Sequence, residues 1–396
     1  MIYEEDSMAW ENFTLEKQRL DLVEAFELGE ISKEEICKKF GVSKKTGYKW
    51  YNRYRKLGKD GLKDLSKTPH KLPYKYSDDQ IERLINYKRE RLKWGPKKIL
   101  VKLKELYPGE EWPSKTRLHE IFDEYNLVTK KRIKPRVPAT APLGNYIDCN
   151  DAWAVDLKGW FITGDGKKCE PLTITDCVSR YLISCMHLSK HTADDVWIVF
   201  DRAFREYGLP KKVRSDNGSP FGSCGAGRLT KLSVNLIKAG VTPEWINPGH
   251  PEENGRHERF HLTLAQEIAS PPKETLELQI QALEWFERDY NFFRPHEALN
   301  MKPPSEYYCA SNRKWDGKLR SPEYDRKIYD VRKVEKSGQI SYRGRHQYIS
   351  ETLYGEYVGL KEIDNDKYEI SFGPIYLGLL DKEEFKKPEM KKRRQR

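Results

Sequence analysis

The sequence predicts an α/β protein in three parts, a helix-rich N-terminal region, a mixed α/β core and a small C-terminal β-barrel. Three observations predict it. Capped segments with helical periodicity fill the chain as far as about residue 130. From Asn150 the texture changes to short strands alternating with amphipathic helices. Past residue 322 only short alternating runs with glycine turns remain, the pattern of a compact barrel. The boundaries read as 1–65, 66–130, a basic linker over 131–149, a core over 150–310 and a β domain over 322–385.

The first region reads as three helices. One spans about Phe13 to Leu28 and stops at Gly29. A second begins at Ser32, with Glu35 three residues on as a capping box. Gly41 and Val42 make a tight turn, and Ser43 caps a third helix, SKKTGYKWYNRYRKLG. EEICKKFGVSKKTGYKWYNRY is therefore a helix-turn-helix pattern with a basic second helix. Trp50 and Tyr54 are expected to face its core. Lys44, Lys45, Thr46, Lys49 and Arg53 are expected to face outward as DNA contacts; the alternative is a solvated lysine-rich face. GKDGLKDLSKTPHKLP reads as a linker.

A second unit follows the same plan, with helices capped by Ser77 and Ser114 and Pro96 in a first turn. Lys115, Thr116 and Arg117 lie at the exposed start of its last helix and are DNA-contact candidates. Lys131 and Arg132 open a basic, proline-containing segment suited to tracking phosphates. Charge agrees with this. The chain has net charge +11, yet residues 1–30 carry 2 basic and 9 acidic side chains, against 30 basic and 14 acidic over 31–140. Basic charge concentrated on helical modules is the electrostatic footprint of a nucleic-acid binder.

In the core, WAVDLKGWFIT and CEPLTITDCV read as a hairpin across a GDGK turn, and YLISCMHLS as a third strand. ADDVWIVFDRAFREYG is a helix with Val196, Val199, Phe200 and Phe204 on one face. KKVRSD, LTKLSVNLIKAG and TPEWI follow as strand, helix and strand. ETLELQIQALEWFERDYNFF is a long closing helix. Three antiparallel strands followed by alternating helix and strand predict a ribonuclease-H-like sheet.

Three carboxylates stand out. Asp156 lies between alternating apolar residues, where an ionised group is costly unless paired or metal-bound. Asp216 ends a strand, in an SDNG sequence that would also suit an ordinary turn. Glu258 lies in the first turn of a predicted helix, where the dipole alone would favour it. Brought together, the three can hold hard cations on oxygen ligands.

The stretch from Asp151 to Tyr308 resembles the catalytic core of insertion-sequence transposases, in the superfamily that also holds retroviral integrases. WAVDLKGWF, PLTITDCVSRYL, VRSDNGSPF, NPGHPEENGRHERFHLTLAQE and YNFFRPHEALN carry the resemblance. The tandem helix-turn-helix region resembles the DNA-binding region of the same family. The resemblance implies a catalytic and metal-binding triad of Asp156, Asp216 and Glu258. It further implies two Mg²⁺ or Mn²⁺ ions per site, binding to terminal inverted repeats, cleavage at the element ends and joining of 3′ hydroxyls to target DNA. Double-stranded DNA would be the partner of at least a dimer. His257, Arg259 and His261 would contact DNA; Asn254 and Gly255 would shape the helix entry. Arg294 and His296 would fasten the last helix to the sheet or reach DNA.

Two departures matter. Forty-one residues separate Asp216 from Glu258, more than in many relatives, and Glu252 or Glu253 lies nearer the shorter spacing. The N-terminal His/Cys zinc module of retroviral integrases is missing; helix-turn-helix units stand in its place.

The remaining composition narrows the class. Seven cysteines, none in a CxxC pair, argue against a disulfide framework and for a reducing cytosol. There is no apolar run of about 18 residues, so no membrane span is expected. The resemblance implies a prokaryotic, nucleoid-associated cytoplasmic protein. A metal-dependent nuclease on the same fold and a domesticated DNA-binding protein with an inert core are the alternatives. The tandem modules argue against the first and the intact acids against the second.

Overall fold

A computed structural model describes residues 14–65, 76–129, 146–247, 255–364, 366–381 and 384–386. The chain falls into two units, Met1–Lys75 and Tyr76–Arg396.

The first unit holds α1 (Leu15–Leu28), α2 (Lys33–Lys39) and α3 (Lys44–Leu57). The caps explain the boundaries. Thr14 accepts from Lys17 N, and Gly29 ends α1 in the left-handed region at φ 65°. Ser32 and Glu35 form a complete capping box. Ser43 accepts from Thr46 N. Leu22, Val23, Phe26, Ile36, Cys37 and Trp50 make the core. Gly47 is what lets α3 approach so closely, because a Cβ there would lie 2.5 Å from Cys37 Sγ. The expected linker starts later than predicted. Gly58–Leu62 is a short 3₁₀ turn that buries Leu62 in this core.

The second unit opens with α4 (Asp78–Glu90), α5 (Pro96–Leu106) and α6 (Lys115–Glu124). Ser77 forms a capping box with Gln80, and Ser114 accepts from Arg117 N. Leu84, Trp94, Ile99, Leu103, Leu118 and Phe122 pack together, and Phe293 of the core region packs against them. Arg91 pairs with Asp289 at 2.8 Å, which ties this module to the α/β core.

The core sheet runs in the order β5-β4-β1-β6-β7. Its strands are β1 (Ala152–Leu157), β4 (Pro171–Asp176), β5 (Leu182–His187), β6 (Lys212–Ser215) and β7 (Thr242–Trp245). β1, β4 and β5 are antiparallel neighbours; β6 and β7 run parallel to β1. Two short strands, β2 (Phe161–Ile162) and β3 (Lys168–Cys169), pair at the tip of the expected hairpin. α7 (Ala193–Tyr207) and α8 (Lys231–Lys238) cover one face. There Val196, Val199, Phe200 and Phe204 meet Trp153, Val155, Leu172, Ile174 and Val213. Each such large apolar side chain contributes about 1.5–3 kcal/mol on burial. α9 (Gly255–Leu264) and α10 (Leu276–Arg288) cover the other face through Phe260, Leu264, Leu283 and Phe286. The predicted closing helix runs past α10 only as a wider turn, Asp289–Phe293.

The C-terminal strands do not close into a barrel among the described residues. β8 (Tyr329–Lys333), β11 (Tyr357–Asp364), β12 (Lys367–Phe372), β13 (Ile375–Asp381) and β14 (Glu384–Lys386) form an open sheet, β14-β13-β12-β11-β8. β9 (Gln339–Tyr342) and β10 (Arg345–Tyr348) form a separate hairpin. The physical reason lies in what covers the apolar face. Val358, Leu360, Ile370, Phe372 and Leu377 are buried by Ile340 and Tyr342 of the hairpin and by Val234 and Ile237 of α8, so the sheet has no need to curl onto itself.

Candidate active site

Strand alternation creates the site. In β1, Trp153 and Val155 turn to the α7 and α8 side, so Ala154 and Asp156 turn to the α9 side. Across β4, Thr173 stands opposite Asp156 and Thr175 opposite Ala154. On the other flank Ala154 pairs with Arg214 of β6. Asp156 follows Ala154 by two residues at the end of β1, and Asp216 follows Arg214 by two residues, just past the end of β6. Asp216 accepts from Gly218 N at 3.2 Å, and its neighbour Asn217 donates to Ile246 O at 2.9 Å. The SDNG turn and the carboxylate position are thus the same feature.

α9 lies on this polar strip. Phe260 and Leu264 anchor it in the apolar cluster, and His257 and His261, one turn apart, point to the sheet. The Thr173 hydroxyl lies 2.7 Å from His257 Nε2, 2.8 Å from His261 Nε2 and 3.1 Å from the Asp156 carbonyl oxygen. A hydroxyl has one proton and two lone pairs. Thr173 therefore donates to the carbonyl and accepts from both histidines, which assigns each ring its Nε2 proton. His257 Nδ1 then accepts from Thr175 Oγ1 at 3.2 Å. Burial keeps both rings neutral: His257 is 3% exposed with a pKa well below the usual histidine range, and His261 is pushed down to about 3.

One consequence concerns cations. With its proton on Nε2, His261 turns a lone pair from Nδ1 toward Asp156 Oδ2, 3.9 Å away. Two acceptors facing each other are stabilised by a cation between them. Asp156, His257 and His261 bring ligand atoms within 4.8 Å of one another and so could hold a metal ion. His257 is the poor donor of the three, since both its nitrogens are taken by threonine hydroxyls. Asp156 and Asp216 supply hard oxygen donors suited to Mg²⁺ or Mn²⁺. Glu258 is exposed, about a quarter turn from His257 on the side of His261. Glu252, Glu253 and Asn254 lie outside the described residues.

The sequence candidates for DNA contact fall into several environments. Lys45 and Lys49 are exposed on α3, with Lys49 5.0 Å from the Trp50 ring. Lys44 pairs with Glu34. Thr46 is half-buried and bonded to Ser43 Oγ at 2.9 Å. Arg53 stacks on Trp50 at 4.6 Å and donates to Lys63 O. Lys115 and Thr116 are exposed, while Arg117 pairs with Glu120 and Glu124. Arg259 is exposed; His257 and His261 are turned into the sheet instead of outward. Arg294 pairs with Glu267 and is buried. Lys131 and Arg132 lie outside the described residues.

Comparison with known proteins bears on this geometry. The family described as an integrase core domain matches residues 149–251, and a second integrase core domain family matches residues 239–304. An insertion-element protein, "Insertion element IS407 uncharacterized 31.7 kDa protein" of Burkholderia multivorans, is 25% identical over 232 residues, covering 57% of this chain and 79% of that protein.

The chain carries an integrase core domain within residues 149–304.

Asp156 and Asp216 fall within the first match to the integrase core and Glu258 within the second. Ahead of the core, a helix-turn-helix domain matches residues 18–70 and a homeodomain-like domain residues 46–122. Among solved structures, the catalytic core of BIV integrase is 20% identical and covers 40% of this chain and 93% of that chain, with a TM-score of 0.32. The HTLV-2 integrase catalytic core in complex with magnesium is 16% identical, covering 41% and 97%, with a TM-score of 0.31. No helix among the described residues is long and apolar enough to cross a membrane.

Sequence reasoning missed three groups in the integrase core. Asp176 is 1% exposed and accepts from Asn150 N, Val178 N, Ser179 N and Ser179 Oγ, fastening the end of β4 to the start of the core. Thr173 and Thr175 gave no signal beyond strand alternation, yet they hold α9. Arg180 and Arg214 were not singled out in the sequence, and both line a cavity beside α9.

Proposed function

We propose that the chain is a DNA transposase that binds the terminal inverted repeats of a mobile element, cuts at its ends and joins the 3′ hydroxyls to target DNA. The single observation that supports it most is the parallel β1–β6 pairing, which ends at Ala154 and Arg214, two residues before Asp156 and Asp216, with α9, which bears Glu258, bonded to the same sheet through Thr173. Asp156, Asp216 and Glu258 would hold two Mg²⁺ or Mn²⁺ ions, which when bound activate the attacking oxygen and stabilise the leaving one.

The chain's own residues do the rest. Thr173 and Thr175 fix the roll of α9, and so the direction in which Glu258 projects. His261, neutral and buried, turns a lone pair toward Asp156 and adds no positive charge beside it. Arg259 offers a guanidinium to the DNA backbone. Lys45, Lys49, Lys115 and Thr116 hold duplex DNA ahead of the core. The division into 1–65, 66–130, 131–149, 150–310 and 322–385 fits this separation of grip and chemistry. Pairing of two element ends calls for at least a dimer, working in the cytoplasm at the nucleoid.

Incubating the full chain with Mg²⁺ and a duplex bearing the ends of its own element tests the proposal. Nicking followed by joining to a second duplex is expected. Binding without either reaction would refute it, and nicking without joining would leave a nuclease.

A further inference from the structure

Beside α9, at the Ala154 and Arg214 end of the same sheet face, lies a cavity of about 360 Å³. Six cations line it: Lys98 of α5, Arg180, Arg214 of β6, Arg256 and Arg259 of α9, and Arg294. Among the described residues two carboxylates join them, Asp176 and Glu297. Asp176 already accepts four hydrogen bonds, and Glu297 pairs with Lys97 at 3.1 Å.

Two of the six cations are compensated, Arg214 by Glu244 at 3.4 Å and Arg294 by Glu267. Lys98, Arg180, Arg256 and Arg259 have no ion pair among the described residues; Arg256 reaches only the Cys177 carbonyl oxygen, at 3.0 Å. Burial, then Arg294, holds Lys98 at about 8, and burial, then Arg256, keeps Arg180 below the usual guanidinium range. His296 lines the same cavity with a buried Nε2 that has no hydrogen-bond partner among the described residues. Positive charge concentrated in a partly enclosed, low-dielectric space is costly without an anion.

The geometry suits phosphate. Guanidinium forks bind its oxygens in pairs, and a lysine adds a point charge. Tyr146, Phe260 and Tyr290 give the cavity an aromatic wall where a sugar or base can rest. Ala154 precedes Asp156 by two residues of β1, so the cavity lies about 7 Å along the strand from that carboxylate, roughly the reach of one nucleotide.

We propose that this cavity is a phosphate site that holds a DNA phosphate neighbouring the one cut at Asp156, recognised by Lys98, Arg180, Arg256 and Arg259. The assignment of DNA as the source rests on the function proposed above; the anion site itself does not.

The test uses the full chain and two readouts that need no strand cleavage. In thermal unfolding, inorganic phosphate raises the Tm of the wild type saturably, and sodium chloride at matched ionic strength does not. Arg180→Gln and Lys98→Gln lose the response, and Arg180→Lys keeps it. In binding to a short duplex of arbitrary sequence, both Gln variants weaken affinity several-fold and lower the salt slope by about one. No saturable phosphate response, or an equal one in the Gln variants, overturns the site. A phosphate response lost in the variants with an unchanged salt slope overturns DNA as its source and leaves free phosphate. A chain that passes both tests yet never cuts DNA would refute the proposed transposase and leave the anion site standing.

Discussion

The Thr173 hydroxyl lies 2.7 Å from His257 Nε2, and through that bond β4 holds α9. The same oxygen meets His261 at 2.8 Å and the Asp156 carbonyl at 3.1 Å. One side chain thus joins the helix that carries Glu258 to the strand that carries Asp156.

Replacing Thr173 should uncouple that helix from the sheet. Thr173→Val leaves two buried Nε2–H donors and one carbonyl without their partner, at a cost of about 1–3 kcal/mol for each group left unsatisfied. Cutting of DNA should fall at least tenfold while duplex binding is retained, and Thr173→Ser should restore most of both stability and activity. Chemical denaturation and a cleavage assay check this. Equal activity in Thr173→Val would show that the bond does not position α9 for the chemistry.

Gly47 should be intolerant of any side chain. Its Cβ would lie 2.5 Å from Cys37 Sγ and 3.1 Å from Phe26 Cζ, so Gly47→Ala must force α3 away from α1 and α2. The expected loss is about 1–3 kcal/mol, as for overpacked cores. Thermal unfolding measures it.

How much of this was legible follows from which interactions are local. Ser32, Glu35, Ser77 and Ser114 announced their helices because a cap is satisfied within four residues. The strands of the core followed from alternation, and Asp156 stood out because alternation made it half-buried. The locking of α9 was not legible. Thr173 and His257 are 84 residues apart, and nothing in either segment marks the other. The cationic cavity was hidden for the same reason, since Lys98, Arg180, Arg214 and Arg256 meet only in three dimensions. The barrel misled because short alternating strands predict a sheet and not its closure, and α8 offers this sheet another surface to bury.

Stability should depend on pH through Glu287. Its carboxyl accepts from Cys185 N at 3.0 Å, but burial dominates and raises it from 4.5 to about 7. The folded state therefore binds the proton more tightly than the unfolded chain. The stabilising contribution is full below pH 4.5 and is lost as pH rises through about 7. At most about 3 kcal/mol is involved. Glu287→Gln should flatten the stability profile between pH 4.5 and 8 and raise stability at pH 8. A profile as steep in the variant as in the wild type would assign the dependence elsewhere.

Lys45 should act as a phosphate contact. It is exposed on α3 with no ion pair among the described residues, unlike Lys44, which pairs with Glu34. Lys45→Ala should weaken binding to all duplexes by a similar factor and lower the salt slope by about one. Fluorescence anisotropy at several salt concentrations reads both. Lys44→Ala should do less, since that charge is already partly spent.

The most direct measurement compares wild type with Asp156→Asn, and Glu258→Gln with Glu252→Gln and Glu253→Gln, on a duplex bearing the element ends with Mg²⁺. Asp156→Asn and Glu258→Gln should bind DNA normally and lose both nicking and strand joining, while the other two substitutions leave both intact. Undiminished joining by Asp156→Asn would contradict the account at its centre.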